Sequence, residues 1–104
     1  MGVLGAYNVP NVSAALYYGI HNLQHRGQEG AGMATFTEDG KCCRHRGLGL
    51  VDSVFDEQSV RSLKGALGVA TVRYANKENG GLNNVQPLFF RHSSGDFVVG
   101  GLWE

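Results

Sequence analysis

Ala31-Gly32-Met33-Ala34-Thr35-Phe36-Thr37, followed by Glu38-Asp39-Gly40 and then Lys41-Cys42-Cys43-Arg44-His45-Arg46, reads as a β-hairpin. Two strand-length runs are separated by an Asp-Gly step, which favours the tight turns that join antiparallel partners. Upstream, Val12, Ala15, Leu16, Gly19, Ile20 and Leu23 recur at i, i+3, i+4 and i+7, the spacing of an amphipathic helix. Asn11 or Ser13 is placed to cap its start, and Gly27 after Arg26 to close it as a C′ residue. Before that helix, residues 2–7 are short and apolar and end at Asn8-Val9-Pro10, the pattern of a buried strand followed by a turn. Downstream, Asp52 or Ser53 is expected to cap a short helical turn and Asp56 a second one running to about Leu63. Residues 67–74 form a β-branched apolar run, expected to be buried on both faces. Residues 76–84 read as a polar, glycine-bearing loop, and residues 86–91 and 96–99 as strands joined at Ser93-Ser94-Gly95. The patterning is that of an α+β domain, with mostly antiparallel strands and one main helix on a face.

Composition limits what such a domain does. The chain has 104 residues, with 9 Lys+Arg against 9 Asp+Glu and no net charge, so it is one small domain without the basic face of a nucleic-acid binder. Hydrophobic residues at 42% and charged residues at 17% are globular values rather than those of a disordered tail. No apolar run reaches the roughly 18 residues of a membrane span, and no signal peptide opens the chain, so a cytoplasmic location is expected. Met1-Gly2 lacks the Ser or Thr that a myristoylation signal places at position 6, where Ala6 stands. The 16 glycines, about twice average usage, follow no period and punctuate the chain. Adjacent Cys42 and Cys43 form no disulfide framework, and with His45 they lack the spacing of a structural zinc site. His21, His25, His45 and His92 make no metal-spaced set, although His21 and His25 share a helix face. Gly30-Ala31-Gly32 and Gly47-Leu48-Gly49 read as turns rather than phosphate loops. Tyr7, Tyr17, Tyr18, Phe36, Phe89 and Phe90 are spaced as core and sheet residues.

The blocks Gln24-His25-Arg26-Gly27-Gln28-Glu29-Gly30, His45-Arg46-Gly47-Leu48-Gly49-Leu50-Val51, Val72-Arg73-Tyr74 and Asn84-Val85-Gln86-Pro87-Leu88 carry a resemblance over nearly the whole chain. Together they resemble the class II, N-terminal-nucleophile glutamine amidotransferases, and within them the amidophosphoribosyltransferase branch of purine synthesis. The resemblance implies that residues 1–104 are the front part of a class II glutamine amidotransferase domain, an incomplete αββα sandwich of the N-terminal-nucleophile hydrolase type. It also implies glutamine as the substrate, cleaved to glutamate and to ammonia that passes to phosphoribosyl pyrophosphate on a second domain. No cofactor is implied for this chain; Mg2+ accompanies phosphoribosyl pyrophosphate on that second domain. A homo-oligomer, or association with a full-length homologue, is an expected partnership, while nucleic acid and membrane are not expected.

The same resemblance assigns roles to individual positions. Arg73 matches the arginine that grips the glutamine α-carboxylate, a task suited to a planar bidentate guanidinium; by spacing alone it is a strand-end surface arginine. Tyr74 supports the same pocket. Arg26 and Gly27 match a turn beside the nucleophile, and equally describe an ordinary helix C-terminus with a basic last turn and a glycine cap. Asn76 stands in the segment that covers glutamine, where Ala75-Asn76 replaces the family's Ser-Thr. Met1 occupies the position of the nucleophilic cysteine, and a thioether has no proton to lose to a terminal amine. After Val99 the family continues His-Asn-Gly-Asn-Leu, whose asparagine contributes to the oxyanion hole, whereas Gly100-Gly101-Leu102-Trp103-Glu104 stands here. The expectation is a chain without catalytic activity as written. A non-catalytic glutamine-binding or homologue-associating module and a truncated gene product are the competing readings.

Overall fold

In the computed structural model the described residues are 2–23, 30–73, 85–93 and 95–100. They form β1 (Gly2–Tyr7), α1 (Val12–Leu23), β2 (Gly30–Phe36), β3 (Cys42–Leu48), α2 (Val51–Val54), α3 (Glu57–Ser62), β4 (Leu67–Arg73), β5 (Leu88–His92) and β6 (Gly95–Val99). The Asp-Gly hairpin forms as the sequence predicts: Gly40 takes φ +85°, a backbone region that glycine enters without a Cβ penalty, and donates its N–H to the Thr37 carbonyl at 3.0 Å. Its strands shift slightly from the expected limits, pairing from Gly30↔Leu48 to Phe36↔Cys42.

The first sheet has the order β1-β4-β2-β3, with every neighbour antiparallel. β4 therefore enters between the first strand and the hairpin, and its buried pattern agrees with the β-branched run read from the sequence. Alternation along the strands divides the sheet into two faces. One face, carrying Leu4, Ala31, Met33, Ala70 and Val72, meets the helices, with Leu16 and Ile20 of α1 buried against it together with Val51, Phe55 and Leu63. Removing Leu16 or Ile20 from water contributes about 2–3 kcal/mol each. Gly19 and Gly68 let α1 lie close to the sheet, because a side chain on either would run into Leu4 or Leu16. Ser13, inside the helix, donates its hydroxyl to the Val60 carbonyl at 2.8 Å and ties α1 to α3.

The opposite face of the first sheet is covered by the β5-β6 hairpin and its lead-in. Arg44 of β3 stacks its guanidinium 4.0 Å from the Phe89 ring centre, and Gly100 lies over Val69 and Thr71 of β4. An apolar gap of about 390 Å³ remains between the sheets at the Leu67 end, bordered by Phe36, Val69, Val98 and Gly100. Helix layer, sheet and second sheet correspond to three layers of the expected αββα sandwich. No helix among the described residues is long and apolar enough to cross a membrane.

The structure departs from the sequence expectations at several places. β1 is not buried inside the sheet but forms its edge, with Gly5 and Tyr7 exposed, because among the described residues only β4 pairs with it. Neither Asp52 nor Ser53 caps α2; Leu50 is its N-cap residue and both polar residues lie within the helical turn. Asp56 does cap α3, accepting from the Ser59 N–H at 2.7 Å in a reciprocal capping box. Gly30, Gly32 and Gly47 are strand residues rather than turns, and Gln86 precedes β5, which begins at Leu88. Tyr7, Tyr18 and Phe90 are 78%, 69% and 52% exposed, outside the core where the aromatic spacing put them. Cys43 packs against the core, whereas Cys42 alternates to the other face, and the two form no disulfide.

Candidate functional site

The antiparallel register brings the start of β1 to the end of β4. Gly2, Val72, Ala31 and Gly47 form one row across the first sheet, and Arg73, Gly30 and Leu48 form the adjacent row. The C-terminus of α1 reaches the same end, since a Cβ on Gly2 would lie 3.3 Å from the Leu23 Cβ. The fold thus gathers the N-terminal strand, the last turn of the main helix and the Arg73 end of β4. This convergence follows from β4 running antiparallel to both of its neighbours.

Arg73 is the residue of the predicted site that lies in a described position. Alternation from Val72, which faces the helices, turns Arg73 to the inter-sheet face, where it is 8% exposed. It is not the surface arginine that spacing alone implies. A guanidinium held at a strand end by buried neighbours presents a fixed fork of N–H donors, the geometry that matches a carboxylate. Met1, Arg26, Gly27, Tyr74 and Asn76 lie outside the described residues, as does His25.

Beside Arg73 the lead-in to β5 crosses the inter-sheet face. Val85 and Gln86 are both 1% exposed. A Cβ on Gly30 would fall 2.7 Å from Val85 Cγ2, so Val85 occupies the space that the glycine leaves next to Arg73. Two rows down, on the same face, Val3, Thr71, Gly32 and Arg46 lie side by side. A Cβ on Gly32 would collide with the Gln86 carbonyl. The Thr71 hydroxyl donates to that carbonyl at 2.6 Å, and Arg46 Nη1 donates to the Val85 carbonyl at 2.8 Å. The sequence reading missed Gly32, Arg46, Thr71 and Gln86 as neighbours of the site. The available signal was a glycine inside a strand pattern, which marks close approach of another backbone.

A second polar cluster lies on the helical surface, away from Arg73. Tyr17 donates its hydroxyl to Asp52 at 2.7 Å, and His21 Nε2 lies 3.3 Å from the other Asp52 oxygen, linking α1 to α2. The hydrogen bond from Tyr17, then that from His21, holds the Asp52 carboxyl below its ordinary range, while the bond to Asp52 raises the Tyr17 phenol. His45 takes a separate role, its Nε2 2.6 Å from the Val54 carbonyl and its ring against Phe55. Among the described residues no three His, Cys, Asp or Glu side chains gather as metal ligands.

No family model matches the chain. Individual proteins do. It is 44% identical over 90 residues to an amidophosphoribosyltransferase of Bacillus subtilis, a match covering 86% of this chain and 19% of the relative. It is 44% identical over 93 residues to one of Lacticaseibacillus casei, covering 88% of this chain and 47% of that protein. With the Methanocaldococcus jannaschii amidophosphoribosyltransferase it shares 39% identity over 101 residues, 94% of this chain and 21% of the relative. The chain therefore spans less than half the length of each of these curated relatives. Among solved structures, one described as the allosteric regulatory enzyme of purine biosynthesis superposes with a TM-score of 0.87 at 40% identity. The glutamine phosphoribosylpyrophosphate amidotransferase of B. subtilis, complexed with ADP and GMP, superposes with a TM-score of 0.83 at 39% identity. Each match covers 94% of this chain and 21% of the solved one.

Proposed function

We propose, from the premise that this chain is homologous to the N-terminal region of the amidophosphoribosyltransferases, that it is the glutamine-binding part of a glutamine amidotransferase domain. In the family reaction, glutamine is hydrolysed to glutamate and ammonia, and the ammonia is passed to phosphoribosyl pyrophosphate. The observation that carries the reading is Arg73, buried at the end of β4 where the start of β1 and the end of α1 converge. There its guanidinium binds the glutamine α-carboxylate through paired, charge-assisted hydrogen bonds. Tyr74, Arg26, Gly27 and Asn76 complete the pocket in this reading, by their match to the family motifs.

Met1 at the position of the nucleophile supplies no thiol, so glutamine binding proceeds without ammonia release. A cytoplasmic location, and association through the β1 edge with a second copy or a longer homologue, belong to the same reading. The test is thermal unfolding with and without glutamine, because a ligand that binds only the folded state raises its stability. Saturating glutamine is expected to raise the melting midpoint by a few degrees, and Arg73→Ala to remove that shift when its liganded midpoint is compared with its own unliganded one. A flat response of the unsubstituted chain would sink the reading. Ammonia release above background that disappears in Arg73→Ala would overturn the assignment of Met1 as a non-catalytic substitute.

A further inference from the structure

The glutamine-binding reading leaves Arg46 and Thr71 without a role, although both direct side chains toward the same short segment as the site. They flank Gly32 on the inter-sheet face, Arg46 from β3 and Thr71 from β4, in one continuous row of the register. Into the gap above Gly32 comes the backbone of Val85 and Gln86. Its two successive carbonyl oxygens are taken from opposite sides, Val85 by Arg46 at 2.8 Å and Gln86 by Thr71 at 2.6 Å. Buried carbonyls need such partners, and one bond comes from a charged donor, so the segment is held at both oxygens rather than merely packed. The Val85 side chain then stands over Gly30, the cross-strand partner of Arg73. Paired residues of antiparallel strands project to the same face, so Val85 stands on the face that carries Arg73, over its cross-strand partner.

We infer that Arg46 and Thr71 are positioning residues for glutamine binding. They clamp the Val85-Gln86 backbone across Gly32, and through Val85 they fix the lateral position of Arg73. The inference rests on the glutamine-binding reading, and it assigns neither residue a contact with glutamine. If the clamp loosens, the arginine gains rotamer freedom that must be lost again on binding, and affinity falls without loss of the ligand-contacting group.

The test uses the full 104-residue chain and two pairs of variants, Thr71→Val with Thr71→Ser, and Arg46→Met with Arg46→Lys. The first readout needs no ligand: the 15N–1H resonance of Arg73 Nε, an atom buried in the structure. The second is the dissociation constant for glutamine from calorimetric titration. Thr71→Val and Arg46→Met are expected to broaden or shift the Nε resonance and to weaken glutamine about tenfold, the equivalent of about 1.4 kcal/mol. Thr71→Ser keeps the hydroxyl and is expected to restore both readouts, with Arg46→Lys restoring them in part. An unchanged resonance in both disruptive variants overturns the clamp. So does a changed resonance accompanied by glutamine affinity within twofold of the parent. Should Thr71→Val fail to fold, the Thr71→Ser and Arg46 variants still decide the matter. If the parent chain shows no glutamine binding, the functional reading falls and the positioning role falls with it, while the resonance separately reports whether the clamp exists.

Discussion

Asp52 shows how a single exposed carboxylate can make stability depend on pH. Its two oxygens serve different partners, Tyr17 and His21, and both favour the ionised form. Because its folded-state pKa lies below the unfolded value, its contribution is present above the ordinary carboxylate range and is lost as pH falls through the folded pKa. The melting midpoint of the parent chain is therefore expected to drop more steeply below about pH 4 than that of Asp52→Asn. Midpoints taken from pH 7 down to pH 3 check this, and parallel curves for the two proteins would contradict it. At the same scale Arg73 shows what a motif adds to spacing. Its position in the sequence suits a surface arginine, and only the match to Val72-Arg73-Tyr74 pointed inward, where the fold puts it.

At the scale of elements, Gly32 governs how closely the second sheet's lead-in approaches the first sheet. A methyl group there meets the Gln86 carbonyl, and both strands flanking β2 are fixed by their ladders, so the intruding segment must move. Overpacking of this kind typically costs about 1–3 kcal/mol. Gly32→Ala is expected to lower stability by that amount in urea unfolding, whereas Gly40→Asn, at the open hairpin tip with positive φ, is expected to change it far less. Equal losses in the two variants would be the contrary result. These elements also divide what was legible from what was not. The hairpin, the main helix and the Asp56 cap could be read because their signals are local: an Asp-Gly step, a 3.6-residue period, an acidic residue before the first turn. The entry of β4 between β1 and β2 is a non-local pairing that no short window encodes. Gly30-Ala31-Gly32 reads as a turn although Gly32 also stands in the predicted strand, because a glycine permits both a reversal and a close approach, and the path of Val85 and Gln86 shows the second. For the same reason the Arg46-Thr71 clamp was invisible, its donors and acceptors being 39 and 15 residues apart.

At the scale of the whole molecule, each edge strand of the first sheet has one hydrogen-bonded neighbour among the described residues. The edges differ in chemistry. β3 carries Arg44 and Arg46, charges of the kind that discourage edge-to-edge pairing, whereas Gly2-Val3-Leu4-Gly5-Ala6-Tyr7 has none. Self-association is therefore expected to run through β1 and to grow with concentration. Gly5→Lys places a charge on that edge where an added Cβ meets nothing closer than the Gly68 carbonyl at 3.8 Å. Sedimentation velocity is expected to show the parent chain shifting to larger species as concentration rises, and Gly5→Lys remaining closer to monomer. A parent that stays monomeric throughout, or a variant that associates equally, would count against the β1 edge.

The hairpin tip at residues 38–40 has a practical consequence. Arg73 lies opposite Gly30 at one end of β2, and the tip follows Phe36 at the other, so seven strand residues, about 20 Å, separate them. Glu38, Asp39 and Gly40 are exposed, and a side chain at Gly40 would touch nothing within 4 Å. A fluorophore, an affinity handle or a surface linkage attached there would anchor the molecule by its blunt end and leave the arginine-bearing end facing solution.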